Sequence, residues 1–85
     1  PTVVKNLVRI YPNPVAGILY VESKKEMRKP LLAQFYDITG RLIKEIISNQ
    51  SKFSIDISSF AKGVYTFKLY NKYDVEVQIE KIIKQ

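Results

Sequence analysis

The chain has 85 residues, with 14 Lys and Arg against 8 Asp and Glu, a net charge of +6, and no His, Cys or Trp. A chain of this length buries only about 60–65 % of its unfolded surface, which predicts one small soluble domain without a deep substrate cleft. The missing His and Cys exclude imidazole and thiolate nucleophiles, the usual zinc ligands and disulfide bonds. The longest stretch without charged or amide side chains is Val15–Val21, well short of the roughly 20 residues of a membrane-spanning helix, so no membrane insertion is expected.

The predicted elements are all strands, because the hydrophobic pattern has a period of two almost everywhere. In the clearest segment, Lys52–Ile57, the apolar residues Phe53, Ile55 and Ile57 occupy alternate positions. Such alternation is typical of a sheet with one solvated face. Turn-forming segments such as Tyr11–Pro14 separate the runs. In chain order, the predicted strands lie near residues 7–11, 17–22, 30–37, 41–47, 51–57, 64–70 and 75–84.

Short antiparallel strands at a spacing of about 8–12 residues indicate an all-β fold, an immunoglobulin-like β-sandwich of about seven strands. A small closed barrel is the alternative. The sandwich is favoured because Tyr65 follows Gly63 by two residues at the start of a strand. This is the setting of a tyrosine corner, in which the tyrosine hydroxyl binds an upstream backbone group.

The last predicted strand breaks its own pattern. Val75, Val77 and Ile79 alternate with polar residues, but the same register would turn Lys81 inward and Ile82 outward. A β-bulge near Lys81 would restore the register. Alternatively, the last residues leave the two-faced sheet and present isoleucines on both sides.

The positive charge raises a nucleic-acid alternative. The densest basic stretch, Lys24–Lys29, is interpreted as a solvated hairpin loop, with a loop that contacts a partner or polyanion as the alternative. Four tyrosines are expected to point outward but do not form a run interleaved with Lys or Arg, so nucleic-acid binding is not expected. These are Tyr11, Tyr20, Tyr36 and Tyr70.

No catalytic or metal-binding pattern is found. The carboxylates show no spacing that pairs two of them with an acid–base partner, and they lack the density of a calcium loop. The three glycines are isolated at turns, so there is no phosphate-binding loop. We expect no enzyme, metal site or cofactor.

Three blocks, in this order, resemble a known family. They are Ile10–Gly17 with the following Ile18–Val21, then Phe35–Ile43, then Ile55–Leu69, and the chain closes on Glu80–Gln85. Together they resemble the C-terminal sorting domain (type A) of cargo proteins of the type IX secretion system, also called the Por secretion system. The resemblance runs from about Val8 to Gln85, with Phe60 at a position where the family more often has Leu.

The resemblance implies an immunoglobulin-like domain that directs a covalently linked N-terminal cargo domain from the periplasm through the outer-membrane translocon of a Gram-negative bacterium. A sortase-like signal peptidase then removes it, and the cargo stays on the cell surface or is secreted. Residues 1–6 would be a linker remnant and residues 7–85 the sorting domain, with cleavage at or upstream of the start of the domain, near Pro1–Lys5. Translocon components and the peptidase are the implied partners.

Two groups of site residues are predicted. Residues with a structural role in the motifs are Pro12, Asn13, Pro14, Gly17, Gly63 and Tyr65. Residues expected to bind partners are Lys81, Ile82, Ile83 and Lys84 of the last strand, and Asp37, Gly40 and Arg41 of one turn. The glycines are expected to supply turn backbones that a Cβ would strain, and Asp37 and Arg41 to form an ion pair. The last strand would add to a partner's sheet edge, dock in a groove or join two copies of the domain as a dimer.

A second hypothesis is an accessory immunoglobulin-like module that binds carbohydrate or another surface ligand for an extracellular enzyme or adhesin. A glycan-binding face requires exposed aromatic rings with polar neighbours, which the arrangement of the surface tyrosines decides.

Overall fold

The computed structural model describes residues 8–23, 29–71 and 76–85, and no helix within them could cross a membrane. Each predicted strand is confirmed to within one residue at its described ends. The strands are β1 (Val8–Tyr11), β2 (Ile18–Ser23), β3 (Leu31–Tyr36), β4 (Leu42–Ser48), β5 (Lys52–Asp56), β6 (Gly63–Tyr70) and β7 (Glu76–Lys84).

The strands form two antiparallel sheets. One has the order β1-β2-β5 and the other the order β4-β3-β6-β7. The sheets stay separate, and the β-bridge that joins them is a parallel pairing of Val15 with Lys84. The β-sandwich is therefore confirmed and the closed barrel is wrong.

The core lies between the two sheets and is built from alternate residues of each strand. Phe35 and Phe67 occupy its centre, with ring centroids 4.9 Å apart. Apart from these two rings, the buried apolar side chains are Val8, Val15, Leu19, Val21, Leu31, Ala33, Ile55, Ile57, Tyr65, Leu69 and Ile82. The expected inward face of β5 is confirmed, since Ile55 and Ile57 are buried and Phe53 packs against them.

The predicted bulge near Lys81 is wrong. The pairing of β7 with β6 runs without a break from Gln78 to Lys84, and the register shifts where the partner strand passes from Leu69 to Tyr70. As a result Ile82 and Lys84 face inward, whereas Ile79 is 52 % exposed. The alternative, with isoleucines presented on both sides at the end of the chain, is also wrong because Ile82 is fully buried.

An inward polar side chain on β7 makes this register acceptable. The Gln78 amide donates a hydrogen bond of 3.1 Å to the backbone carbonyl of Val8 in β1. A polar side chain that forms a hydrogen bond with a backbone group at the rim of the core costs little free energy on partial burial. Of the residues that set the original pattern, Val75 lies outside the described residues.

The alternating strand directions bring several loops to the same end of the sandwich. Residues 12–17, 37–41 and 57–62 connect strands there, and β7 finishes there with residues 81–85. We call these four segments together the motif end. Val8, where the preceding chain enters β1, and the turn of residues 49–51 lie at the opposite end.

Candidate functional site at the motif end

The motif end contains every residue of the two predicted groups of site residues. The three loops and the last strand are far apart in the chain, but antiparallel pairing returns each of them to the same edge of the core. The gathered residues are Pro12, Asn13, Pro14, Gly17, Asp37, Gly40, Arg41, Gly63, Tyr65, Lys81, Ile82, Ile83 and Lys84.

The first loop is hydrogen-bonded to the last strand. The Asn13 side-chain amide donates to the Lys81 carbonyl at 2.7 Å, and its oxygen accepts from the Ile83 N–H at 2.9 Å. The Val15 N–H then donates to the Ile83 carbonyl, and the Gln85 N–H donates to the Val15 carbonyl, both at 2.8 Å. The backbone groups that β7 would offer to another strand here are already paired within the domain.

Asn13 lies between two exposed prolines. Pro12 and Pro14 have no N–H to compete for the carbonyls of β7. The peptide bonds before both prolines are cis. Asn13 thus acts as the hydrogen-bonding group of a loop that cannot itself form a regular ladder with β7.

The last strand presents only some of its predicted contact residues to solvent. Lys81 is exposed and Ile83 is 43 % exposed, whereas Ile82 and Lys84 are buried. The Lys84 ammonium group donates to the Gln85 carbonyl at 2.8 Å. Addition of residues 81–85 to the sheet of a partner or a second copy would first have to displace Asn13 and Val15.

The turn of residues 37–41 is organised by one carboxylate. Asp37 Oδ1 accepts hydrogen bonds from Thr39 N at 2.9 Å, Thr39 Oγ1 at 2.6 Å and Arg41 N at 3.0 Å. These bonds, that of the Thr39 hydroxyl first, lower the pKa of Asp37 because they favour its charged form. Gly40 has a φ of +87°, as expected for a position that a side chain would strain.

The expected ion pair between Asp37 and Arg41 is confirmed, but the hydrogen bonds to Asp37 organise the turn more than this ion pair does. Arg41 Nε lies 3.5 Å from Asp37 Oδ2, and the arginine side chain is 78 % exposed. An exposed pair of this kind contributes about 0–1 kcal/mol. The Arg41 guanidinium therefore keeps donors available to a partner.

A second carboxylate organises the loop after β5. Asp56 Oδ1 accepts from Ser58 N at 2.9 Å, and hydrogen bonding with Ser58, first with its side chain and then with its backbone N–H, lowers the pKa of Asp56. The backbone then turns with a bond of 2.9 Å from Phe60 N to the Ile57 carbonyl, while Ile57 N donates to the Gly17 carbonyl at 2.9 Å. The expected strain at Gly17 is wrong, because its φ is not positive and a Cβ there would meet no atom within 4 Å.

The tyrosine corner is confirmed. The Tyr65 hydroxyl donates to the Ala61 carbonyl at 2.6 Å, and the ring packs 5.0 Å from that of Phe60. Phe60 in turn meets Phe35 edge-on at 5.4 Å, so the loop is anchored on the core. Gly63, with a φ of +151°, lets the chain enter β6 directly after the corner.

A shallow groove lies between these two loops. It encloses about 470 Å³ and is lined by both charged and aromatic side chains. Its walls include Asp37, Arg41, Lys44, Ser59, Phe60 and Tyr65. The polar rim over an aromatic floor suits recognition of another molecule, and no group of potential metal ligands occurs in the described parts of the chain.

Sequence reasoning missed Ile38. It lies at the tip of the Asp37 turn and is 84 % exposed. The hydrogen bonds of the turn to Asp37 hold this apolar side chain in a defined place in solvent. The available signal was an isoleucine inside a turn, at a position where the alternating pattern of β3 has already ended.

Some predictions fall on residues that the structure does not describe. The linker of residues 1–6 with the proposed cleavage region lies outside the described residues, and so do Lys24–Arg28 of the basic stretch.

Comparison with known proteins bears directly on this arrangement. A family model described as a secretion system C-terminal sorting domain matches residues 9–85, which include β2 to β7, all of β1 except Val8, and the whole motif end. A search of curated proteins found no significant match. The matched region covers nearly the whole chain, and so does the resemblance carried by the three sequence blocks. This chain therefore belongs to the family of type IX (Por) secretion system C-terminal sorting domains.

Proposed function

We propose that the type IX machinery recognises this domain as a folded unit through the motif end, and that a sortase-like signal peptidase then removes it from its cargo. Membership of the family makes the domain a sorting signal for export to the cell surface or the medium. Beyond family membership, we propose that recognition occurs at the motif end, that the domain is folded when it is recognised, and that it passes through the periplasm before export.

The observation that carries the proposal is the bonding of Asn13 and Val15 to the last strand. Residues of the first loop and of the end of the chain, 68–70 positions apart in sequence, share four hydrogen bonds. An unfolded tail would separate these elements. A receptor that reads the motif end therefore distinguishes the folded domain from an unfolded one.

The exposed side chains of this end fit a protein partner. Ile38 and Ile83 offer apolar contacts, and Arg41 and Lys81 add positive charge beside them. Apolar anchors rimmed by charge are typical of specific protein interfaces. The complementary receptor surface would be apolar with carboxylates at its edge. Ile82 and Lys84 would contribute by fixing the register of β7, and Gly40 by shaping the turn that carries Ile38.

The placement of the cargo also favours this end. The chain that precedes Val8 joins β1 at the opposite end of the sandwich. A folded cargo attached there would leave the motif end clear for docking. Cleavage near residues 1–5 would likewise take place away from the docked surface.

Reporter export tests the proposal. The domain is fused to the C-terminus of a reporter directed to the periplasm of a host that has a type IX system, and Ile38→Asp is compared with Ile47→Asp. Ile47 is the matched control because it is a 67 % exposed isoleucine at the opposite end of β4. We expect export with the unchanged domain and with I47D, and retention in the periplasm with I38D.

Folding is checked for each variant by thermal unfolding of the isolated domain, because both positions are exposed and neither substitution should disturb the core. Export of I38D at the level of the unchanged domain contradicts recognition at the motif end. No export of the unchanged domain contradicts the proposed function itself. Mass spectrometry of the exported reporter should show that residues 7–85 have been removed.

A further inference from the structure

We infer that the outer face of the three-stranded sheet binds a glycan chain that carries acidic sugars. This face belongs to β1, β2 and β5, and it is a different surface from the contact residues of the motif end. The inference does not depend on how the domain is recognised for export.

Two rows of side chains cross this face. The pairing of the strands aligns Arg9, Glu22 and Lys52 in one row. The next row, two residues along each strand, aligns Tyr11, Tyr20 and Ser54. The rows are about 7 Å apart, twice the rise per residue of a strand.

The tyrosines form an aromatic platform. The rings of Tyr11 and Tyr20 stack with centroids 5.5 Å apart and an angle of 24°, and Tyr20 is 44 % exposed. The Arg9 guanidinium lies over the Tyr11 ring, 4.7 Å from its centroid. In the described parts of the chain neither tyrosine hydroxyl has a hydrogen-bond partner, so both are available to a ligand.

The surroundings of the platform match the chemistry of a sugar. A groove of about 600 Å³ opens over both rings, and its polar lining consists of Glu22, Gln50, Lys52 and Ser54. A pyranose ring has an apolar C–H face that suits an aromatic ring and an edge of hydroxyls that suits mixed donors and acceptors. Carboxylate, amide, ammonium and hydroxyl groups are all present within one groove of ligand size.

The charged row favours an acidic glycan over a neutral one. Glu22 forms ion pairs with two cations. Its Oε1 lies 3.4 Å from Arg9 Nη1, and its Oε2 lies 3.9 Å from Lys52 Nζ. One positive charge is left over in the row, and the whole domain carries +6. A uronic acid placed over this row would meet a guanidinium and an ammonium group.

The same geometry disfavours single-stranded nucleic acid. Bases bind by inserting between or stacking on separate aromatic rings while cations follow the phosphates. Here the two rings stack on each other and leave no space for a base between them.

Calorimetric titration of the 85-residue domain tests the inference, with an oligogalacturonide as the acidic probe and a cello-oligosaccharide of equal length as the neutral probe. We expect the acidic probe to bind more tightly and Tyr20→Ala to weaken its binding by about tenfold or more. The matched control is Tyr36→Ala on the outer face of the other sheet. Tyr36 also has a cation over its ring, Lys68 Nζ at 5.0 Å, but no second ring stacks on it within the part of the chain that the structure describes.

Each outcome decides the inference. Loss of affinity in Y20A with retention in Y36A supports it, once thermal unfolding shows that both variants are folded. Equal affinity of the unchanged domain and Y20A would mean that the net charge alone attracts the polyanion, and it overturns the inference. Absence of binding at millimolar probe, or tighter Tyr20-dependent binding of oligothymidylate, overturns it as well.

Discussion

Asn13 shows how a single side chain can take the place of a strand. Its amide donates to one carbonyl of β7 and accepts from one N–H, which is the pattern that a neighbouring backbone would offer. Asp37 and Asp56 act similarly in their turns by accepting from backbone N–H groups. The shape of the motif end therefore depends on a few polar side chains as well as on the core beneath it.

At this scale, Tyr65→Phe should lower the free energy of unfolding by about 1 kcal/mol, because it removes the hydroxyl bond to Ala61 and keeps the buried ring. Tyr20→Phe is the control, since its hydroxyl has no partner in the described structure, and it should change stability by less than about 0.5 kcal/mol. Denaturant unfolding measures both. Equal effects of the two substitutions would show that the tyrosine corner contributes nothing beyond its ring.

The two turn carboxylates should make the free energy of unfolding sensitive to acid. The pKa of Asp37 and that of Asp56 are both lowered from the ordinary value of 3.8, so the unfolded chain binds protons more readily than the folded one. Their stabilisation is present above the unfolded pKa and is lost as the pH falls through the lower folded pKa. We expect unfolding free energy to decline below roughly pH 4, and less steeply in the double variant D37N/D56N. An unchanged slope in that variant would contradict the assignment.

At the scale of the element, β7 determines how the end of the chain takes part in the fold. Its residues alternate between core and surface, with Ile82 fully buried and Ile83 43 % exposed. The same strand carries the partners of Asn13 and Val15. Removal of residues 81–85 would therefore unfold the domain's edge as well as remove contact residues, so an export defect after that deletion would not by itself locate recognition.

Single substitutions distinguish the buried residues of β7, which stabilise the core, from its exposed residues, which are available for contact. Ile82→Ala should cost about 2–5 kcal/mol of stability because it leaves a cavity in the core. Ile83→Ala should cost less than about 1 kcal/mol, since the side chain is half exposed. Thermal or denaturant unfolding checks the pair. Comparable losses for both would contradict the register of β7, in which Ile82 and Lys84 face inward.

For the whole molecule, the two lateral sides of the sandwich differ. On one side, Gln78 bonds to Val8, and Asn13 and Val15 bond to the end of β7. On the other side lie the outer edges of β4 and β5, and the described residues show no hydrogen bond between these strands. Among the described residues, only the first side is closed by hydrogen bonds between the sheets, which leaves the second as the open edge of the described fold.

Amide hydrogen exchange should reveal this asymmetry. The N–H groups of Ile83 and Gln85 should be protected despite their place at the end of β7, whereas the N–H groups of β4 that face away from β3 should exchange quickly. Asn13→Ala should remove the protection of Ile83 while the bond from Gln85 to Val15 persists. Rapid exchange of Ile83 in the unchanged domain would contradict the closed side.

The sequence by itself determined the seven strands, the all-β class, the tyrosine corner and the family, because each depends on local alternation, turn chemistry or ordered motifs. Only the tertiary structure decided which face of β7 is buried, that Lys84 turns inward while Ile79 turns outward, and that Asn13 pairs with residues 81 and 83. A period of two defines two faces but does not say which one meets the core. That choice depends on strands far away in the chain, as does the pairing of an edge with a loop about 70 residues distant.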